Sequence, residues 1–122
     1  MRLLVLALIA ALSITSCDEQ DVLCTMEFRM LSVEVSGDST ARMYTVDVRN
    51  KDTIEGYEIF NSNWCFADDG EWFNRLKRDE KRTINIVALS KSGKTVKAEC
   101  IITRDACHID KVAGPQSIEY PL

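Results

Sequence analysis

The chain has 122 residues, 46% of them hydrophobic, and carries 15 Lys and Arg against 19 Asp and Glu, a formal net charge of −4. A mildly acidic chain gives no electrostatic case for a nucleic-acid partner. Its length supports one domain with a single modest core, without room for a second.

At the start, Met1-Arg2 is followed by an unbroken apolar run from Leu3 to Leu12, closing on Ser13-Ile14-Thr15-Ser16-Cys17. This is the pattern of a secretory signal. The run falls short of the roughly 20 apolar residues that a bilayer-spanning helix needs. Ile14-Thr15-Ser16-Cys17 resembles the lipobox of bacterial lipoproteins, in which cleavage precedes the cysteine and its thiol receives a diacylglycerol, usually with an added N-acyl chain. An ordinary signal cut elsewhere, or a signal anchor, uses the same apolar run. The lipobox divides the chain into a cleaved signal peptide (1–16), a lipidated cysteine with an acidic tether (17–23) and a β-sandwich domain (24–122). Losing Arg2 with the signal takes the net charge to −5. A single acyl chain holds a membrane only marginally, whereas two or more give stable anchoring. The membrane is thus one expected partner, held through Cys17, and the expected location is the bacterial cell envelope: the periplasmic face of either membrane, or the cell surface. Asp18-Glu19-Gln20-Asp21 reads as a solvated tether. It also resembles lipoprotein sorting signals, both the aspartate that retains some lipoproteins at the inner membrane and the acidic cluster that exports others to the surface.

Four cysteines remain: Cys24, Cys65, Cys100 and Cys107. An even number in a small exported domain reads as two disulfides, with three connectivities open. Spacings of 41, 35 and 7 residues, with no C-x-x-C pair, do not match a zinc site. Neither a metal nor a cofactor is expected.

Beyond Cys24 the hydrophobic period is close to two. Met26, Phe28 and Met30 alternate with polar residues, and the phase then slips to Leu31, Val33 and Val35, which asks for a bulge near Met30 to Leu31. Gly37-Asp38-Ser39 turns the chain. Tyr44, Val46 and Val48 read as the inward face of a second strand, with Met43, Thr45, Asp47 and Arg49 outward. Ile54, Tyr57 and Ile59 mark a weaker third strand interrupted by Gly56. Trp64, Phe66, Trp72 and Phe73 flank the turn Asp68-Asp69-Gly70, and strand is expected through this stretch, with a short helix from Glu71 to Leu76 as the alternative. Lys77 to Arg82 reads as a solvated connection of mixed sign. The clearest hairpin follows: Ile84, Ile86 and Ala88 on one face, a turn over Ser90 to Lys94, then Val96, Ala98, Cys100 and Ile102 returning inward while Lys97 and Glu99 point out. A connection from Arg104 to His108 leads past Gly114-Pro115 to a last strand in which Ile118 and Tyr120 share a face.

Several short strands and little helix describe an all-β sandwich. Asp69-Gly70-Glu71-Trp72-Phe73, Leu76, Thr83-Ile84-Asn85-Ile86-Val87-Ala88 and Gly93 resemble the D-G-x-F, L, Y-x-V, G-Y progression of carboxypeptidase regulatory-like domains, although Lys94 stands where the family has Tyr. The resemblance covers Cys24 to Tyr120. It implies a single immunoglobulin/transthyretin-like antiparallel sandwich of about seven strands, accessory to catalysis rather than catalytic. Asp105-Ala106-Cys107-His108-Ile109 is similar to the D-x-C-H-V segment of secreted members, which implies a bond between Cys24 and Cys107 and leaves Cys65 to Cys100.

Chemistry is sparse. His108 is the only histidine, and its neighbour Cys107 is taken by the implied disulfide. No G-x-S-x-G or H-E-x-x-H motif occurs. Asp68, Asp69 and Glu71 offer oxygens that suit calcium, but a turn needs the same residues. Trp64, Phe66, Trp72 and Phe73 are the candidate binding surface, for an envelope protein or a glycan, because exposed rings stack on sugars and anchor protein partners. The expectation is therefore a non-enzymatic binding or structural lipoprotein, with a thiol- or histidine-dependent enzyme or redox factor using Cys107 and His108 as the alternative.

Overall fold

The computed structural model describes Cys24 and residues 27–122; the apolar leader, Cys17 and the acidic tether lie outside the described residues. Nine strands and one helical turn follow in order: β1 (Met30–Ser36), β2 (Thr40–Asp47), β3 (Thr53–Glu55), β4 (Tyr57–Phe60), β5 (Asn63–Asp68), α1 (Asp69–Trp72), β6 (Arg82–Ser90), β7 (Thr95–Arg104), β8 (Ile109–Ala113) and β9 (Ser117–Glu119). They form a four-stranded sheet, β4-β5-β1-β9, and a five-stranded sheet, β3-β2-β6-β7-β8. The two sheets enclose one core, to which Val33, Val35 and Phe66 contribute from the first and Met43, Ile84, Ile86 and Ile102 from the second. The chain is an all-β sandwich. Every pairing is antiparallel except β1 with β9, which is parallel.

The β6–β7 hairpin follows its sequence pattern. Ile84, Ile86, Ala88, Cys100 and Ile102 are buried, while Lys97 and Glu99 are exposed, because a regular antiparallel ladder preserves the period of two. Ile118 and Tyr120 are likewise both buried. Nine strands replace the expected seven for two reasons. Residues 109–113, read as connection, form β8 beside β7. The single third strand is in fact two, β3 and β4, which belong to different sheets. Gly56 is the crossing point: its N–H donates to the Met43 carbonyl at 2.9 Å, and a Cβ there would lie 2.5 Å from the Cys65 carbonyl oxygen. No side chain fits that approach. Ile54 enters the core, whereas Tyr57 and Ile59 are exposed on the edge strand.

Two phases differ from the sequence reading. In β1 the inward set is Leu31, Val33 and Val35, and Phe28 and Met30 are exposed, because the strand begins at Met30 and does not try to bury both sets. The extra residue of the bulge lies on β5: Leu31 faces Ala67 and Ser32 faces Cys65, so Phe66 is added, and Phe66 and Ala67 both reach the core. In β2 the phase is inverted. Met43, Thr45 and Asp47 are buried, while Tyr44 and Val46 are partly exposed and Val48 lies in the turn beyond.

Arg82 explains the inversion. It belongs to β6, in phase with Ile84 and Ile86, and is 8% exposed rather than part of a solvated connection. Its Nη1 donates to Asp47 Oδ2 at 2.5 Å and its Nη2 lies 2.6 Å from Glu80 Oε2. Burial works against the charged guanidinium, but the Glu80 and Asp47 carboxylates outweigh it and hold the Arg82 pKa above its ordinary value. A buried cation without its partner is far less favourable than an inward-facing aspartate.

Asp47→Ala should lower stability by about 3 to 5 kcal/mol in chemical denaturation, since it strands Arg82 in the core. Asp47→Val combined with Arg82→Met should recover most of that loss. A single variant within about 1 kcal/mol of the wild type would show that the pair does not fix the phase of β2.

Candidate functional site

The helical turn α1 builds the site. Asp68 caps it, its Oδ1 accepting the Glu71 N–H at 3.0 Å, and its other oxygen accepts the Tyr57 hydroxyl at 2.8 Å. Strand was expected here. The helical turn forms because Asp68 is an N-cap residue with Asp69 and Glu71 in the first turn, where acidic groups meet unpaired N–H donors.

Asp69 then ties three segments together. Its Oδ2 accepts the Arg29 N–H at 2.8 Å and lies 2.9 Å from His108 Nδ1, while its Oδ1 accepts the Ile109 N–H at 2.8 Å. The Asp69 N–H returns to the Arg29 carbonyl at 3.1 Å. Burial raises the Asp69 pKa, but the Ile109 and Arg29 amides and His108 outweigh it, so the carboxyl titrates below its ordinary value. His108 is 9% exposed. Asp105 shapes the loop before it, its Oδ1 accepting the N–H groups of Cys107 and His108, each at 2.7 Å. That turn presents Cys107 to Cys24, and the two sulfurs are bonded, with Cα atoms 5.2 Å apart. In the chain-entropy account, closing a loop with 83 residues of separation stabilises by roughly 4 kcal/mol at most.

Glu27, Phe28, Asp69, Gly70, Phe73, Cys107 and His108 line an open cleft of about 330 Å³ at this corner. Arg104 stacks on Phe73, 4.1 Å from the ring centre, and donates to its carbonyl at 3.3 Å. A carboxylate beside an imidazole is the orienting half of an acid–base device. The nucleophilic half is missing among the described lining residues, which include no Ser or Thr and whose only sulfur is in the disulfide.

The other candidates are dispersed. Trp64, Phe66 and Trp72 are 8%, 1% and 0% exposed, and Phe73 packs partly buried against the core, so the aromatic group is core rather than surface. Trp64 enters the core opposite Val33 in regular register, Phe66 is the residue that the β5 bulge adds, and the α1 turn carries Trp72 inward. Among the described residues the exposed large apolar side chains are instead Phe28, Met30, Val48, Tyr57, Ile59, Phe60, Val112 and Leu122. Among the described residues no cluster of His, Cys, Asp or Glu has the spacing to hold a metal ion, and the Asp68 and Asp69 carboxylates are taken up by the bonds above.

Cys65 and Cys100 are separate buried thiols, not the expected second disulfide. Cys100 faces the core from β7, whereas Cys65 lies opposite Ser32 and Tyr57 on the outer face of the other sheet, so β5 itself stands between them. Burial raises both pKa values, that of Cys100 to about 11, which keeps the thiols protonated and unreactive.

Asp69 contributes stability that is fully present above the ordinary carboxylate range and is lost as pH falls through its lowered folded value. The wild type should therefore lose stability on acidification below about pH 4, and Asp69→Asn should flatten that limb while costing about 1 to 3 kcal/mol near neutrality. An unchanged acid limb in Asp69→Asn would remove the clamp from this account. Thiol titration of the domain should find neither Cys65 nor Cys100 in the native state and both after unfolding without reductant; finding neither after unfolding would mean that the two are bonded.

Comparison with family models, curated proteins and solved structures finds no match for this chain.

Proposed function

We propose that the chain is a lipid-anchored lipoprotein of the bacterial cell envelope whose sandwich is a non-enzymatic binding or structural module of the transthyretin-like, carboxypeptidase regulatory-like kind. The observation that carries the reading is the bond between Cys24 and Cys107 seven residues beyond Cys17. A lipobox cysteine, a short acidic tether and a domain stapled at its first residues form a continuous anchor, and the staple suits the oxidising compartment to which a secretory signal leads. The tether spans at most about 25 Å, so the stapled end stays close to the membrane.

Two features favour binding or structure over catalysis. The Cys107 sulfur is shared with Cys24 and supplies no thiolate. The Asp69 carboxylate that orients His108 also holds the backbone at Arg29 and Ile109, which is the work of a fastener. The family reading rests on Asp69-Gly70-Glu71-Trp72-Phe73 and on Thr83 to Ala88, and it is supported by a sandwich in which Trp72, Leu76, Ile84 and Ile86 are buried. Beyond the membrane, the partner is an envelope protein or a glycan.

Membrane fractionation tests the anchor. Wild-type protein should float with membranes and Cys17→Ala should be released, with an acylated Cys17 at the N-terminus of the wild type by mass spectrometry. Soluble wild-type protein with an unmodified N-terminus would overturn the reading.

A further inference from the structure

Resting on the lipid-anchor reading, we infer that the basic loop after α1, together with the β2–β3 turn, is a second membrane contact that lays the sandwich against anionic lipid headgroups.

The same end of the sandwich carries both the staple and these loops. The Asp79 N–H donates to the Arg104 carbonyl at 2.8 Å, three residues before Cys107, and Arg104 reaches the Phe73 carbonyl. The β2–β3 turn joins them through Arg49, 3.5 Å from Glu80, and Arg75, 3.5 Å from Asp52. A tether of at most about 25 Å keeps this end, and not the opposite one, within reach of the bilayer.

Charge selects the lipid. Of the cations here, Arg82, Arg49 and Arg75 are matched by Asp47, Glu80 and Asp52. Lys51, Lys77, Arg78 and Lys81 are exposed and form no ion pair among the described residues, and Asp79 is the one acid of these loops outside an ion pair. A surface with three surplus positive charges thus stands on a chain that is negative overall. The other acids of this end, Glu27, Asp68, Asp69, Glu71, Asp105 and Asp110, belong to neighbouring segments and not to these two loops; Glu27 and Asp69 line the cleft, Asp69 contacts His108, and Asp110 is paired with Arg29. Lys51 and Asp79 are held at φ 67° and 62°, which marks a tight turn in each loop. Cationic side chains beside an anionic leaflet are attracted strongly enough that three of them shift a docking equilibrium on the order of 100-fold, and the attraction falls within a Debye length.

The test uses lipidated protein reconstituted into vesicles of phosphatidylcholine alone or with a third of phosphatidylglycerol. Flotation reads the anchor and amide hydrogen exchange reads the loops. Protein should float with both vesicles, while exchange across residues 48–52 and 74–81 slows about tenfold or more only on the anionic vesicles, returning to the phosphatidylcholine rate in 0.5 M salt and in the Lys77→Glu, Arg78→Glu, Lys81→Glu variant. These positions are exposed, and an unchanged melting temperature verifies the fold of the variant. Protein that floats with both vesicles but exchanges equally on both leaves the anchor standing and overturns this inference. Slowing that is indifferent to lipid charge overturns it as well, and protein that floats with neither overturns the anchor and this contact together.

Discussion

One buried ion pair decides which way the five-stranded sheet is built. Arg82 opens β6 in the same phase as Ile84 and Ile86, so its guanidinium enters the core end of the sandwich, where an unpaired charge is intolerable. Asp47 answers it from the neighbouring strand, and Glu80 from the loop before it. Once Asp47 faces in, Thr45 and Met43 must follow at every second residue, and Tyr44 and Val46 are turned to the outer face. The pair also fixes the course of the loop before β6, because Glu80 is held low in pKa by the Lys77 amide as well as by Arg82.

The two sheets are joined at the same end by different chemistry. Asp69 binds the segment before β1, its own helical turn and the start of β8 through a single carboxylate, and the disulfide adds a covalent link between the first described residue and the loop before β8. Hydrogen bonds set the geometry there. The disulfide limits how far the unfolded chain can spread.

The cleft beside His108 has an orienting carboxylate but no nucleophile among its described lining residues, and the two free thiols are buried and protonated. The described surface at this end offers a stapled corner, paired and surplus cations in adjacent loops, and Glu27 and Asp69 in the cleft.

The sequence by itself determined the local order of the chain. Period-two alternation located the β6–β7 hairpin, the inward Cys100 and the paired burial of Ile118 and Tyr120, because a regular ladder leaves each side chain on the face its position dictates. Tertiary structure alone decided the rest. Gly56 sends one apparent strand into two sheets, since a carbonyl approaches too closely for any Cβ. Pairing with β1 and the α1 turn place Trp64, Phe66 and Trp72 in the core, although their sequence looks like a displayed aromatic patch. The Asp69–His108 pair spans 39 positions and has no local signature. Cys65 and Cys100 stay apart because a sheet lies between them. In β2 the more apolar face lost to the more polar one, since hydrophobic pattern counts side chains along one strand while a buried charge on its neighbour sets which of them must turn inward.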